Sequence, residues 1–150
     1  MRSTELFQVL SAGDEETSAM LAATLEFAQI RVVAADTVAE AQALAETEEF
    51  QAHILGLRFP DGNGFELCRH LKRLYPYIPN VFLTGDVMAD DRELGLACGA
   101  DAYLIKPYQG DICAFVLELI SEGRQRRAAA ARFLPPSHHR RSIRRGAGII

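Results

Sequence analysis

The stretch HILGLRFPDGNGF at residues 53–65 contains a strand signal, a turn signal and the start of a helix. Residues 52–57 form an apolar run of strand length, and PDGNG at 60–64 consists of residues that favour tight turns. The apolar residues that follow recur every three or four positions until Pro76, which is the spacing of one helix face. These residues are Phe65, Leu67, Cys68, Leu71 and Leu74. The stretch therefore predicts a buried strand, a turn and an amphipathic helix.

The same alternation continues in both directions along the chain. Apolar runs of strand length lie at 6–10, 30–34, 52–57, 80–84 and 102–105, and helical patterns lie at 15–28, 38–46, 65–74, 90–98 and 111–122. Strict alternation predicts a parallel sheet with helices on both faces, and five such units fit a flavodoxin-like strand order 2-1-3-4-5. Thr37 and Glu40 form a capping box for the second helix. The predicted core face of the first helix comprises Met20, Leu21, Thr24, Leu25 and Ala28.

Three segments resemble the receiver domains of response regulators, which act in two-component (phosphorelay) signal transduction. They are GLRFPDGNGFELCRHLK at 56–72, VFLTG at 81–85 and GADAYLIKPY at 99–108. Each segment alone is weak evidence, but their order and spacing match the family together. The resemblance implies a receiver domain at residues 5–123.

The resemblance also implies a phosphorylation site whose acidic residues are absent from this chain. The family's phospho-accepting aspartate corresponds to Gly56, and its pair of Mg²⁺-binding acids corresponds to Ala12 and Gly13. Glycine has no side chain that could accept a phosphoryl group. We therefore expect a degenerate receiver, or pseudo-receiver, with little or no Mg²⁺ binding and no other cofactor. Asp14 lies one residue too late for the acidic pair, although a register slip of one would return a single carboxylate.

The basic and hydroxyl part of the family's pocket is retained. By the resemblance, Thr84 is the pocket hydroxyl, Lys106 is the lysine that neutralises phosphoryl oxygens, Pro107 follows a cis peptide bond and Tyr103 is the aromatic rotamer switch. A lysine at a buried strand end needs a counter-charge. The nearest candidates by chain position are Asp14 and Asp86.

These residues also have purely structural interpretations. Thr84 could end a strand with a backbone hydrogen bond, and Tyr103 could be a half-buried aromatic cap. Gly13 and Gly56 could serve tight turns. Asp61 lies in the PDGNG turn, where aspartate favours turn geometry, and is not expected to replace the acceptor.

Charge is distributed unevenly between the predicted domain and the remaining residues. Residues 1–123 hold 8 Lys and Arg against 20 Asp and Glu, a formal charge of −12, whereas residues 124–150 hold 8 Arg and no acid. We expect 124–150 to comprise a helical extension and a disordered tail that is dispensable for folding. The tail is either a solvated linker or a polyanion-binding element. Its candidate contact residues are Arg124, Arg126, Arg127, Arg140, Arg141, Arg144 and Arg145.

Three functions follow from these patterns. The first is phosphorylation-independent protein–protein interaction, with a histidine kinase, another regulator or an output protein contacting the helix 4–strand 5–helix 5 face, or with a homodimer forming. The second is a conventional phospho-receiver with an off-register carboxylate, and the third is a nucleic-acid-associated regulator binding through the arginines. The chain shows no enzyme motif, metal-ligand pattern or apolar run long enough to span a membrane, so we expect a cytoplasmic protein that is not an enzyme.

Overall fold

The computed structural model describes residues 7–85 and 89–133. Five parallel strands form one sheet in the order β2-β1-β3-β4-β5, which confirms the predicted flavodoxin-like topology. The strands are β1 (Phe7–Ala12), β2 (Ile30–Ala35), β3 (Ala52–Leu55), β4 (Asn80–Thr84) and β5 (Ala102–Ile105). After β3 the chain makes a small antiparallel hairpin, Arg58–Phe59 with Gly62–Asn63, so β3 ends two residues earlier than the apolar run.

Five α-helices connect or follow the strands. They are α1 (Glu15–Leu25), continued by a 3-10 turn (Glu26–Ala28), α2 (Val38–Thr47), α3 (Gly64–Leu74), α4 (Ala89–Ala97) and α5 (Ile112–Arg132). The buried residues of α1 are Ser18, Leu21 and Leu25, whereas Met20 is exposed. The prediction that Met20 faces the core was wrong, because the helix is rotated so that its 18-21-25 stripe covers the sheet. No helix among the described residues is both long enough and apolar enough to cross a bilayer.

Helix α2 begins where the sequence predicts, and two hydrogen bonds involving side chains cap its amino terminus. The Glu40 amide donates to the Thr37 hydroxyl at 3.0 Å, and the Asp36 amide donates to the Glu40 carboxylate at 2.9 Å. The second contact reaches one residue before the helix cap, a small variation on the capping box. Asp61, at the hairpin tip, accepts hydrogen bonds from the Val38 and Ala39 amides. The hairpin is thereby tied to the start of α2.

The sheet separates two apolar clusters. Phe82 on β4 is fully buried on the side of α2, α3 and α4, where its ring lies 5.6 Å from Phe65 and 5.7 Å from Tyr103. On the other side, Ile54 packs with Leu21 of α1 and Val116 of α5. Burial on both faces explains why the central strands are continuous apolar runs rather than alternating ones.

Helix α5 continues without a break across the predicted boundary at residue 123. Gly123 is buried, and a Cβ atom there would overlap the Tyr77 carbonyl oxygen. The Arg124 guanidinium lies 4.8 Å from the centre of the Phe7 ring, and Arg126 forms a 3.7 Å ion pair with Asp101. The first turn of the extension, which the sequence analysis placed outside the domain, is therefore packed on it. The tail arginines Arg140, Arg141, Arg144 and Arg145 lie outside the described residues.

Candidate functional site

An open cleft of about 450 Å³ lies at the carboxyl ends of the central strands. In open parallel sheets this edge is where ligands bind, beside the point where strand order reverses. The cleft is lined by the loops after β1, β3 and β4 and by Lys106 after β5. The lining residues are Gly13, Asp14, Gly56, Leu57, Arg58, Leu83, Thr84, Gly85 and Lys106. The structure thus brings together most of the residues singled out in the sequence.

Gly13 and Gly56 lie side by side in the lining of this cleft. The Gly13 amide donates to the Ala35 carbonyl at 3.0 Å and the Gly56 amide to the Ala12 carbonyl at 2.8 Å, so both residues extend the strand ladder. Neither has a positive φ, so the backbone conformation does not require glycine at either position. A Cβ built on Gly56 would lie 3.5 Å from the Gly13 Cα atom, an ordinary van der Waals contact. The backbone therefore accommodates side chains at both positions.

The ladder also fixes the register of Ala12 and Gly13. Ala12 pairs with Ala35 on one side and Leu55 on the other, which places Gly13 level with Gly56 without a slip. Ala12 is almost fully buried and belongs to the core cluster rather than to the cleft lining. An acid at position 12 would have to enter this apolar surrounding, whereas one at position 13 or 56 would face the cleft.

Lys106 is held by the first turn of α1. Its Nζ atom donates to the Thr17 hydroxyl at 2.9 Å and lies 3.4 Å from a carboxylate oxygen of Asp14. Asp14 is the N-cap of α1 and accepts from the Thr17 amide at 3.0 Å. Of the two proposed counter-charges, Asp14 is the one placed beside the lysine, and Asp86 lies outside the described residues. Sequence analysis missed Thr17, whose spacing from Asp14 is that of an ordinary helix cap.

The contacts with Thr17 and Lys106 change the pKa of the Asp14 carboxylate, which remains accessible to solvent. Partial burial raises its pKa, yet the Thr17 hydrogen bonds and the Lys106 charge outweigh that effect and lower the pKa overall. The side chains of Lys106 and Asp14 are 34% and 57% exposed, so water screens the ion pair. This exposed pair contributes little to stability and leaves the cleft open to solvent.

Thr84, Pro107 and Tyr103 were also singled out in the sequence. Thr84 is buried at the end of β4, where its carbonyl accepts from the Lys106 amide at 2.8 Å. The Lys106–Pro107 peptide bond is cis. Tyr103 is 8% exposed and packs against Phe82, so in this structure it is an inward aromatic side chain.

Arg58 is a cleft residue that sequence analysis did not select. It is exposed, follows Gly56 by two residues and lies on the first strand of the hairpin. Among the described lining residues, the charged side chains are therefore Lys106, Arg58 and Asp14. One acid beside two cations is a poor ligand set for Mg²⁺, a hard cation that binds carboxylate oxygens and water. Only the hairpin, which the sequence did not predict, turns Arg58 into the cleft.

A second polar cluster occupies the opposite, amino-terminal edge of the sheet. Nδ1 of His53 lies 2.7 Å from the Asn80 side-chain oxygen, and burial lowers the His53 pKa from 6.5 to about 4. The Asp101 carboxylate accepts a hydrogen bond from the backbone amide of Asn80 at 2.9 Å and forms a 3.1 Å ion pair with Lys72. These contacts join residues that are far apart in the sequence, so no local sequence motif predicts them.

Comparisons with known sequences agree with the geometry. The family model for the response regulator receiver domain matches residues 9–116. The alkaline phosphatase synthesis transcriptional regulatory protein PhoP of Bacillus subtilis is 33% identical over 102 residues, 67% of this chain and 42% of that protein. The transcriptional regulatory protein CreB of Escherichia coli is 47% identical over 68 residues, 45% of this chain and 30% of that protein. The chain spans less than half the length of these two relatives.

Solved structures show the same architecture. A CheY-like receiver domain from Methanospirillum hungatei has a TM-score of 0.75 at 27% identity and covers 81% of this chain and 99% of its own. The non-phosphorylated HemR receiver domain of Leptospira biflexa has a TM-score of 0.67 at 33% identity, covering 77% of this chain and 94% of its own.

Proposed function

This chain belongs to the response regulator receiver domain family, and we propose that it is a member that signals through protein–protein contact without being phosphorylated itself. One observation carries the proposal. Gly13 and Gly56 lie side by side where the family's metal-binding and accepting carboxylates would stand, and Asp14 is the single acid among the described residues that line the cleft. Because Asp14 caps α1 and pairs with Lys106, it does not replace an acceptor at position 56.

The proposed contact face is formed by α4, β5 and α5. Leu94 and Leu96 on α4 are 50% and 47% exposed, which is unusual for leucine on a helix that also covers a core. Gly95 packs so closely that a Cβ there would lie 3.0 Å from the rings of both Phe82 and Tyr103. Leu94 and Leu96 lie on opposite flanks of the buried Gly95, so one of them can border β5 and offer apolar surface to a histidine kinase, another regulator or an output protein. We place this interaction in the cytoplasm.

The first experiment asks whether the protein accepts a phosphoryl group. Incubation with acetyl phosphate and Mg²⁺, followed by intact mass measurement, should give no added phosphate, and beryllofluoride with Mg²⁺ should leave the NMR spectrum unchanged. A stable, Mg²⁺-dependent phosphoaspartate would refute the proposal and favour the off-register phospho-receiver.

The second experiment tests whether the pocket lost only its acids. Gly13→Asp with Gly56→Asp should bind Mg²⁺ and accept beryllofluoride, because both positions have room and face the cleft. Gly56→Asp alone should not, since the metal would lack its second carboxylate. Adding Ala12→Asp completes the family's acid set but forces a carboxylate into the core, so this triple variant should be less stable than the double one.

A polyanion-binding function rests on the basic extension of α5. Arg127 and Arg132 are exposed there, whereas Arg124 and Arg126 already contact Phe7 and Asp101. Salt-dependent binding of duplex DNA, lost when residues 124–150 are deleted, would support this second candidate. Binding to a partner protein that survives the same deletion would favour the first.

A further inference from the structure

A second pocket adjoins the cleft and shares Leu57 and Arg58 with it. The second pocket measures about 350 Å³, and the other residues that line it are Phe59, Gly62, Asn63, Phe65 and Asp91. Phe59 and Phe65 are half-buried, so part of the apolar surface of each ring is open to solvent. A cleft that contains a lysine and adjoins a pocket with two aromatic rings suits a molecule with one anionic end and one apolar end.

Lys106 supplies a hydrogen-bond donor for the anionic end of such a molecule. An ammonium group has three N–H donors. Within residues 7–85 and 89–133, those of Lys106 reach the Thr17 hydroxyl at 2.9 Å and an Asp14 oxygen at 3.4 Å. One donor therefore remains for a further acceptor, and a hydrogen bond from an ammonium to a carboxylate is among the stronger ones in proteins.

The two glycines of the cleft provide space for that acceptor. Among the described residues, a Cβ on Gly56 would meet only backbone atoms of Gly13 and Ala12 within 4 Å, and a Cβ on Gly13 would meet only Gly56. The volume that side chains would fill at positions 13 and 56 is therefore part of the cleft. A carboxylate that arrives with a ligand can occupy this volume in the cleft that Lys106 lines.

We propose that the cleft binds a small organic monocarboxylate without Mg²⁺, with the carboxylate at Lys106 and an apolar chain over Phe59 and Phe65. The inference rests on the proposed absence of phosphorylation, since an acyl phosphate or a metal ion would occupy the same space. The ligand then supplies the carboxylate that the chain itself lacks at position 56.

The charges of the two pockets favour one carboxylate over two. Lys106 and Arg58 together with Asp14 give the cleft a formal charge of +1, which one carboxylate neutralises. Asp91 lines the second pocket but not the cleft, so the formal charge of the two pockets together is zero. A second anionic group would therefore enter without a matching cation and close to an acid. An uncharged apolar chain meets no such penalty beside the aromatic rings.

NMR titration in the presence of EDTA provides the main test. Phenylpropionate should shift the backbone amide signals of Gly13, Gly56 and Gly85 with a dissociation constant on the order of 1 mM. The amide signal of Gly123, at the opposite edge, should not move. Phenylpropanol, which lacks the charge, and carboxyphenylpropionate, which carries a second acid on the ring, should each bind about tenfold more weakly. No shift of the three cleft glycines in about 10 mM phenylpropionate would overturn the proposal.

Variants separate the two ends of the bound molecule. Lys106→Met removes the donor but keeps an aliphatic side chain, and should weaken phenylpropionate binding about tenfold or more. Arg31→Met, which removes an exposed cation from the edge strand β2, is the matched control and should have no effect. Phe59→Ala should weaken binding several-fold through lost apolar contact. Gly56→Asp should abolish it, because its own carboxylate fills the same space. Undiminished binding in both Lys106→Met and Gly56→Asp would overturn the proposal.

Inorganic phosphate distinguishes a carboxylate site from a general anion site. Phosphate should move the cleft glycine signals only weakly, because a dianion exceeds the charge of the cleft and is repelled by Asp14. Phosphate binding as tight as that of phenylpropionate would overturn the assignment of a carboxylate. The outcome is separable from that of the phosphorylation test. A protein that accepts neither phenylpropionate nor a phosphoryl group keeps its proposed function and loses only this inference, whereas a phosphoaspartate would refute both.

Discussion

The two edges of the sheet use polar residues in opposite ways. At the carboxyl edge, Lys106 and Asp14 form an exposed pair beside an open cleft. At the amino edge, His53 and Asn80 are buried against each other, and Asp101 ties the start of β4 to Lys72. At the first edge Gly13 and Gly56 continue the strand ladder without side chains, whereas the second edge makes side-chain contacts between strands and helices. The difference teaches that substitutions at the open cleft should affect stability less than substitutions at the packed amino edge.

The largest expected effect is the pH dependence caused by His53. Its pKa falls from 6.5 to about 4 on folding, chiefly because burial disfavours the charged ring. The unfolded chain therefore takes up a proton below pH 6.5 that the folded protein accepts only near pH 4. The free energy of unfolding should fall by about 3 kcal/mol across this interval. Urea unfolding at several pH values measures this change. In His53→Gln most of the dependence of the unfolding free energy on pH should disappear. An unchanged dependence would show that His53 is not its cause.

Glycine substitutions at the two edges should differ next most strongly. Gly123→Ala pushes a methyl group into the Tyr77 carbonyl oxygen, and we expect a loss of about 2 kcal/mol even after the gain in helix propensity. Gly85→Ala, at the cleft, meets no atom of residues 7–85 and 89–133 within 4 Å and should change stability by less than about 0.5 kcal/mol. Thermal unfolding of both variants measures the contrast. Equal effects would mean that α5 does not pack closely on the loop before β4.

Truncation tests whether the basic extension of α5 stabilises the domain. Deleting residues 124–150 removes the Arg124–Phe7 and Arg126–Asp101 contacts, and the melting temperature should fall by about 3 to 5 °C. A chain ending at residue 133 keeps both contacts and serves as the matched control. If both truncated chains melt like the full-length protein, the extension is dispensable for stability.

The smallest effect should come from the cleft pair. Asp14→Asn keeps an N-cap for α1 while removing the charge beside Lys106, and should cost less than about 0.5 kcal/mol. Asp14→Ala also removes the cap and should cost about 1 kcal/mol. Chemical denaturation of both variants separates capping from charge. A large loss in Asp14→Asn would mean that the ion pair supports the fold after all.

Sequence analysis predicted the strands well because apolar runs and turn residues are local signals. The bounds of β4 and β5 match the runs at 80–84 and 102–105, and Thr37 caps α2 as expected. It placed Met20 on the wrong side, since a helix with several apolar faces does not define its own rotation. It also treated Arg124 as part of a tail, because a cation resting on an aromatic ring has no sequence signature.

The sequence by itself determined the strand order, most of the residues singled out at the cleft and the absence of side chains at positions 13 and 56, but not Arg58. These depend on periodicity and residue identity, which can be read along the chain. Only the tertiary structure decided that Thr17 and Asp14 hold Lys106, that His53 meets Asn80, and that Gly123 lets α5 pack on Tyr77. These contacts depend on the register of distant strands and the rotation of helices, which are fixed only when the whole core packs.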